Sequence, residues 1–201
     1  VTGLGTGLLT AVCLYRFCPK KLVLPIRQMI NLLAGIPSVI FGLFGMTVIV
    51  PFIRDYLSPN GVGYGILSSS IVLGIMVLPT IVSVSLDAMQ AVPESYYEGS
   101  LALGATHERS VFLAQLPAAT SGVMSGVILG VGRAIGETMA VIMIAGNQPI
   151  MPRGLLEGLR TMTANVVLEM GYASGMHRDA LIATAAVLFV FIKSPRSTAG
   201  P

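Results

Sequence analysis

Three apolar segments, each long enough to cross a bilayer as a helix, dominate this chain. They cover residues 32–53, 66–86 and 118–145, and the hydrocarbon core of a bilayer needs about 20 apolar residues in helical form. Because lipid offers no hydrogen bonds to the backbone, segments of this length predict α-helices rather than open strands. Two shorter apolar segments, 1–15 and 180–192, predict partial helices. The sequence therefore predicts an all-α membrane protein with about five membrane segments.

The composition predicts a membrane protein, and no catalytic motif indicates an enzyme. Of the 201 residues, 54% are hydrophobic and 10% are charged, whereas soluble domains have about 25% charged residues. The net charge of +3 is too small to indicate a nucleic-acid partner. The sequence shows no catalytic triad, no metal-ligand cluster and no phosphate-binding glycine loop, and Cys13 and Cys18 are expected to be reduced thiols. We expect no cofactor and no metal on this chain.

We expect residues 1–201 to form a single transmembrane domain that is incomplete at both ends. The chain begins at Val1 without an initiator methionine, and a polar tail interrupts its last apolar segment. Lysine and arginine favour the cytoplasmic side of short loops, and four of them cluster between residues 16 and 27. The 16–27 loop is therefore predicted to be cytoplasmic. Since successive loops of a membrane protein alternate between the two sides, the 87–117 loop is predicted to be in the cytoplasm and the 146–179 segment outside.

The 87–117 loop has features of a docking element. Pro93 and Glu94 predict the start of a short helix, because proline fits the first turn and an acidic residue suits the positive end of the helix dipole. Gly104 is expected to end or bend this helix, and Leu116-Pro117 to begin the next membrane segment. Such a helix could dock in a groove of a soluble partner. A polar connector without a partner is the alternative interpretation, and the residues alone favour neither.

The third apolar segment contains a charged pair, Arg133 and Glu137. Ionised residues are rare and usually functional inside a bilayer, where a lone arginine costs about 2.5–3.5 kcal/mol. At about 100° per residue, the pair shares a helix face with three glycines, and we expect this glycine ridge to pack closely against another helix: Gly122, Gly126 and Gly130. The Arg133 guanidinium could bind the oxygens of a passing anion. An ion pair that only fixes helix packing is the alternative.

Asn165 and Glu169 are weaker candidates. They lie four residues apart in the sequence and could share a short helix in an outer vestibule, where Glu169 would shape the entry of an anion. A solvated loop helix is the interpretation that we favour for them.

Several motifs resemble those of known permeases. Glu98-Gly99-Ser100, with Gly104 and the downstream Leu116-Pro117, resembles the EAA loop of ABC-importer permeases, with Gly-Ser in place of two alanines. Four further segments resemble phosphate permeases of the PstC type, and they lie within the range from about residue 20 to 192: Leu33–Val39, Ala102–Thr106, Gly130–Thr138 and Thr163–Ala173.

This resemblance implies a type I ABC-importer permease bundle, MetI-like, in a bacterial inner membrane. It implies that the residues from Glu98 to Gly104, Leu103 included, form a coupling helix that docks on an ATP-binding subunit, and that Arg133 and Glu137 lie on the phosphate path. The implied partners are a homologous A-type permease, a dimer of ATP-binding subunits that carries ATP and Mg²⁺, and a phosphate-binding protein, periplasmic or lipid-anchored. An importer of sulfate or molybdate, and a secondary anion carrier, are the alternatives.

Overall fold

The computed structural model describes residues 2–58 and 62–198, and most of these residues are helical. Within the described residues, the extended pairing consists of an isolated bridge between Gly146 and Leu159. Turns of π-helix occupy Cys13–Phe17, Gly45–Ile49 and Val111–Gln115. The prediction of an all-α protein is confirmed. The helices are α1 (Thr2–Val12), α2 (Lys20–Gly35), α3 (Ser38–Phe44), α4 (Val50–Tyr56), α5 (Ile66–Ala91), α6 (Ser95–Ala102), α7 (His107–Ser110), α8 (Leu116–Ala118), α9 (Thr120–Gly136), α10 (Met139–Ile144), α11 (Met162–Glu169) and α12 (Gly175–Thr198).

Three stretches of helix in the described chain are long and apolar enough to cross a membrane. They are Ser38–Tyr56, which joins α3 to α4 through a π turn, the whole of α5, and Gly175–Lys193 of α12. A bent pair, His107–Ala118 and Thr120–Gly136, would make a fourth span, and its two halves meet at 71°. The chain therefore has the helices of a multi-pass membrane protein.

Two of the predicted membrane segments have different limits in the structure. The apolar segment 32–53 is divided, because α2 ends at Gly35 and α3 begins at Ser38. Pro37 lies between them, and proline pushes the preceding residue out of the helical region. The segment predicted at 180–192 begins earlier, at Gly175, and the extension makes it long enough to span a bilayer.

The segment predicted as one helix at 118–145 is also divided. The first break lies at Ala119, between α8 and α9. Pro117 and the π turn at Val111–Gln115 immediately precede it, and both prolines and π turns kink helices. The second break separates α9 from α10 at Glu137-Thr138. Apolar length predicted the extent of this segment but not its continuity.

The described chain contains two compact units. Unit 1 comprises residues 2–35 and Val77–Val131, and unit 2 comprises Ile36–Met76 and Gly132–Ser197. In unit 1, α1, α5, α9 and the π turn at Val111–Gln115 share one buried cluster, formed by Val12, Met89, Val92, Val111, Ala119 and Val123. A second cluster, which includes Leu14 and Leu86, packs against Ile26 and Ile30 of α2.

In unit 2, close contacts involving two glycines hold the α3–α4 span against its neighbours. A Cβ atom on Gly42 would lie 3.0 Å from the Cα of Ala140, in α10. A Cβ atom on Gly45 would lie 2.8 Å from Cγ2 of Val72 and 3.0 Å from Cγ2 of Ile144. Small residues let membrane helices approach this closely, since association there depends on contact rather than on water exclusion.

The glycine ridge of α9 packs against α5 within unit 1, as predicted. A Cβ atom on Gly122 would lie 2.5 Å from the Cβ of Ala88. On Gly130 it would lie 2.8 Å from the Cγ1 atoms of both Val77 and Ile81. These distances are too short for carbon atoms in contact, so the two helices approach where only a hydrogen atom fits.

Gly130→Ala is expected to destabilise the protein, whereas Gly132→Ala in the same helix is not. Overpacking costs about 1–3 kcal/mol, while alanine in place of glycine in a helix interior otherwise stabilises by about 0.5–1 kcal/mol. A Cβ atom on Gly132 would meet nothing within 4 Å. Thermal unfolding of the purified full-length protein in detergent should show a lower midpoint for Gly130→Ala alone. Equal midpoints for the two variants would contradict the close packing of α9 on α5.

Candidate functional site

Helix α6 occupies the part of the 87–117 loop where a docking helix was predicted. It begins at Ser95, directly after the predicted start at Pro93 and Glu94. Gly104 has a φ of +85°, and the backbone N–H of the next residue, Ala105, donates to the carbonyl of Ser100 at 3.1 Å. A left-handed glycine with this bond is a common way to end a helix. The prediction that Gly104 ends the helix is confirmed.

Four exposed residues of α6 and its C-terminal end, three of them apolar or aromatic, form what we call the α6 surface: Tyr96, Glu98, Leu101 and Leu103. Leu103 is 91% exposed and Tyr96 is 54% exposed, and α6 contains no buried residue. Glu98 and Gly99 are exposed as well, while Ser100 is half-buried and donates its hydroxyl to the carbonyl of Tyr97 at 3.0 Å. Apolar side chains clustered on an exposed helix are typical of a surface that binds a partner.

A group of aromatic and charged side chains holds the inner side of α6. The Tyr97 hydroxyl lies 2.5 Å from Nδ1 of His107, and the Arg16 guanidinium lies 3.9 Å from the centre of the Tyr97 ring. Arg16 also forms a salt bridge with Glu94. Partial burial lowers the pKa of Arg16, but its hydrogen bond to Glu94 and the charge of that carboxylate outweigh burial and leave the pKa raised. Arg16 is therefore a permanent cation that fixes α6 to the end of the first helix.

Leu116 and Pro117 do not belong to the α6 surface. They form the start of α8, where Leu116 packs against the buried cluster of unit 1 and Pro117 lies in the first turn. Proline suits that position because the first turn of a helix needs no N–H donor from it. The motif that resembles an EAA loop thus has an exposed part, α6, and a part that builds the helix start.

Unit 2 contains a cavity of about 460 Å³. Apolar side chains of α5, α9, α10 and α12 form most of its wall. A mainly apolar pocket with a few polar groups is the usual form of a ligand-binding site. The polar residues that line it are Ser69, Ser70, Glu137, Arg160, Thr161 and Thr163.

Glu137 lies at the break between α9 and α10 and is half-buried. Its Oε1 atom accepts a hydrogen bond from the backbone N–H of Ala140 at 3.1 Å, and its own backbone carbonyl accepts the Thr163 hydroxyl at 3.2 Å. These bonds satisfy polar groups that the break would otherwise leave without partners. The carboxylate therefore stabilises the break and lines the cavity at the same time.

Arg133 lies in the last turn of α9 and is half-buried. A cation there suits the negative end of the helix dipole. Its neighbour Ala134 lines the cavity, and within the described residues the arginine that lines it is Arg160. The role of Arg133 and Glu137 in a phosphate path stays a prediction.

Arg160, which was not among the predicted site residues, joins the two weaker candidates. Its Nη1 atom donates to Oε1 of Glu169 at 2.8 Å and to Oδ1 of Asn165 at 3.4 Å. Its Nε atom donates to the carbonyl of Asn147 at 3.3 Å. Asn165 and Glu169 thus converge on one guanidinium rather than on solvent. One feature of the sequence could have indicated Arg160. It directly precedes Thr161, and threonine is a residue type that often caps the start of a helix.

The backbone on both sides of Arg160 is fixed. Gly146 and Asn147 have φ angles of +82° and +51°, which turn the chain after α10. Gly146 pairs with Leu159 in the isolated bridge, and Thr161 caps α11 by accepting the backbone N–H of Ala164 at 3.2 Å. Since a bridge and a helix cap flank it, Arg160 is presented to the cavity by an ordered backbone.

Comparison with known proteins identifies the family of this chain. The model of the family described as "Binding-protein-dependent transport system inner membrane component" matches residues 3–194. The chain belongs to this family. It is therefore a permease component of a transport system rather than an enzyme, and a multi-pass protein of the bacterial inner membrane. Within the described residues of the permease, His, Cys, Asp and Glu form no group of three or more that could hold a metal ion.

Curated relatives include permeases named for phosphate transport. The chain is 42% identical over 171 residues to the probable ABC transporter permease protein YqgH of Bacillus subtilis, and the match covers 84% of this chain and 54% of the relative. It is 34% identical over 206 residues to the phosphate transport system permease protein PstC of Mesorhizobium japonicum, covering 93% and 62%. Against PstC of Xylella fastidiosa (strain 9a5c) the identity is 36% over 198 residues, covering 90% and 61%. The chain thus spans between 54% and 62% of the length of these relatives.

Solved structures agree on the fold. The permease is similar to a chain of the MetNI methionine ABC transporter in an inward-facing conformation, with a TM-score of 0.74, 20% identity, and 98% of this chain and 84% of that chain covered. A chain of an amino acid ABC transporter has a TM-score of 0.59 and 15% identity, with the same coverage. The predicted ABC-importer permease bundle is confirmed.

Proposed function

We propose that this permease is a membrane-spanning subunit of an ATP-driven importer of inorganic phosphate. The observation that carries the proposal is a cavity lined by a guanidinium and hydroxyl groups, in a chain whose relatives include permeases named for phosphate transport. Guanidinium groups suit phosphate, because their planar donors match its oxygens. This chain would form one half of the path, and a homologous A-type permease would form the other half.

In this proposal, Arg133 and Glu137 act on the phosphate path. The Arg133 guanidinium donates to phosphate oxygens as the anion crosses. Glu137 limits the affinity by repelling the anion, so that the anion can leave on the other side. Charge-assisted hydrogen bonds in a site of low dielectric constant are strong enough that release needs such a counterweight.

The α6 surface is proposed as the contact with the ATP-binding subunit. Two such subunits would carry ATP and Mg²⁺, and a phosphate-binding protein would deliver the substrate on the other side of the membrane. When the ATP-binding dimer closes, it displaces α6. The contacts of Tyr97 with Arg16 and His107 then pass this displacement to the helices of unit 1, and the permease changes the side from which the path is accessible.

Uptake of labelled phosphate tests the proposal. The full-length parent gene and its partner genes are expressed in cells that lack their own phosphate uptake, and uptake is measured with and without excess sulfate or molybdate. Uptake that resists both competitors and requires ATP is the expected result. Inhibition by sulfate or molybdate would overturn the substrate but keep the architecture, whereas uptake without ATP would indicate a secondary carrier.

A further inference from the structure

We propose that Arg160 binds the transported oxyanion in the cavity of unit 2, and that Glu169 occupies the same guanidinium while the anion is absent. The inference rests on the proposed function and extends it to a residue outside the predicted site. The oxyanion and the carboxylate would exchange on one cation. Arg160 would then be a binding residue, and Glu169 a residue that sets the affinity.

The first argument is the position of Arg160. It lines the cavity together with Glu137, and its side chain is 23% exposed. Its bonds to Glu169, Asn165 and Asn147 use Nη1 and Nε, and within the described part of the chain Nη2 makes none. A guanidinium has five donors in a planar fork. An oxyanion that reaches the Nη2 donors therefore binds before any of these existing bonds breaks.

The second argument is the character of the pair with Glu169. A partly buried arginine without a counter-charge is costly, so the 2.8 Å salt bridge with Glu169 stabilises the Arg160 guanidinium. An oxyanion carries the same kind of oxygen acceptors as a carboxylate and can replace it. Nε2 of His177 lies 3.9 Å from Oε2 of Glu169, so a protonated imidazole at this position would give the displaced carboxylate a second partner. Exchange then costs less than separating two isolated charges.

The third argument is the rest of the polar lining. The Ser69 and Thr163 hydroxyls donate to backbone carbonyls, whereas the Ser70 hydroxyl donates to none within the described residues. Ser70 can therefore add a neutral donor to the charge of Arg160. The Glu137 carboxylate lines the same cavity and opposes tight binding by like-charge repulsion. Weak binding is what a transport path needs, because the anion must also leave.

Kinetics of phosphate uptake by the full-length permease with its partner subunits test this inference. Arg160→Gln should raise the KM for phosphate and reduce kcat/KM by more than about tenfold. Glu169→Gln should instead lower the KM and also lower the maximal rate, because the competitor is removed and release slows. Arg153→Gln is the matched control, since Arg153 is an exposed arginine in the same segment, and its kinetics should equal those of the unsubstituted protein.

The double variant Arg160→Gln/Glu169→Gln separates binding from a purely structural ion pair. If the pair only holds the fold, removing both charges should restore uptake, and that result would overturn the inference. If Arg160 binds the anion, the double variant should stay as poor as Arg160→Gln. Normal kinetics of Arg160→Gln would overturn this inference but leave the proposed function intact. Absence of phosphate uptake by the unsubstituted protein would overturn the proposed function, and the inference with it.

Discussion

Replacing Arg133 with glutamine is expected to reduce phosphate uptake by the full-length permease about a hundredfold while the transporter complex stays assembled. Glutamine keeps a polar side chain but loses the charge, and hydrogen bonds to charged groups contribute about 1.5–3 kcal/mol each. Loss of a two-bond contact with phosphate thus removes enough binding energy for this effect, since about 1.4 kcal/mol corresponds to a factor of ten. Uptake and the amount of co-purified partner subunits are measured on the same membranes.

Arg178→Gln is the control for this experiment, because Arg178 is an exposed arginine in the first turn of α12. Its uptake should equal that of the unsubstituted permease. If Arg133→Gln loses assembled complex in the same proportion as it loses uptake, Arg133 fixes helix packing rather than binding phosphate. That result would support the ion-pair interpretation of Arg133 and Glu137.

Leu103→Asp is expected to abolish association with the ATP-binding subunit. Because Leu103 is 91% exposed in the permease alone, the substitution should leave the stability of the permease nearly unchanged. In a docked groove, however, the same position would bury a carboxylate without a partner, which is strongly unfavourable. Purification of the full-length permease through a tag, followed by quantification of the bound ATP-binding subunit, measures the effect.

The matched control is Leu155→Asp. Leu155 is 66% exposed and lies in the 146–179 segment, which is predicted to be on the opposite side of the membrane. This variant should retain the ATP-binding subunit in full. Normal retention by Leu103→Asp would show that the α6 surface is not the docking element and that α6 is the polar connector of the alternative interpretation.

The two variants also separate the two sites. Arg133→Gln should retain the ATP-binding subunit and lose transport, whereas Leu103→Asp should lose both. The first acts on the path of the anion and the second on the supply of energy. If both variants lost the ATP-binding subunit together with transport, the common defect would lie in assembly of the complex.

Helix α6 and the glycine ridge were predictable because each depends on local sequence. Pro93 and Gly104 bracket α6, since proline favours the start of a helix and glycine adopts the left-handed conformation at its end. The ridge follows from the helical period, which brings residues four positions apart onto one face. Neither prediction depends on which segment of the chain packs against the helix.

The breaks in the 118–145 segment were not predictable from apolar length. Pro117 was visible as a helix start, but the kink at Ala119 also involves the π turn before it. The break at Glu137 is stabilised by the bond of its carboxylate to Ala140 and by the Thr163 hydroxyl, which comes from 26 residues further along the chain. The length of an apolar segment does not indicate which distant residues will form hydrogen bonds with it.

The membrane class, the family and the limits of α6 follow from the amino-acid sequence alone, because hydropathy, helical period and turn residues act over short stretches of chain. It is folding that brings Arg160 to Asn165, to Glu169 and to a cavity that Glu137 also lines, and that lets Arg16 fix α6 through Glu94 and Tyr97. A long charged side chain can reach many acceptors. Its partner depends on which backbone segments approach it, and that approach is a property of the folded chain alone.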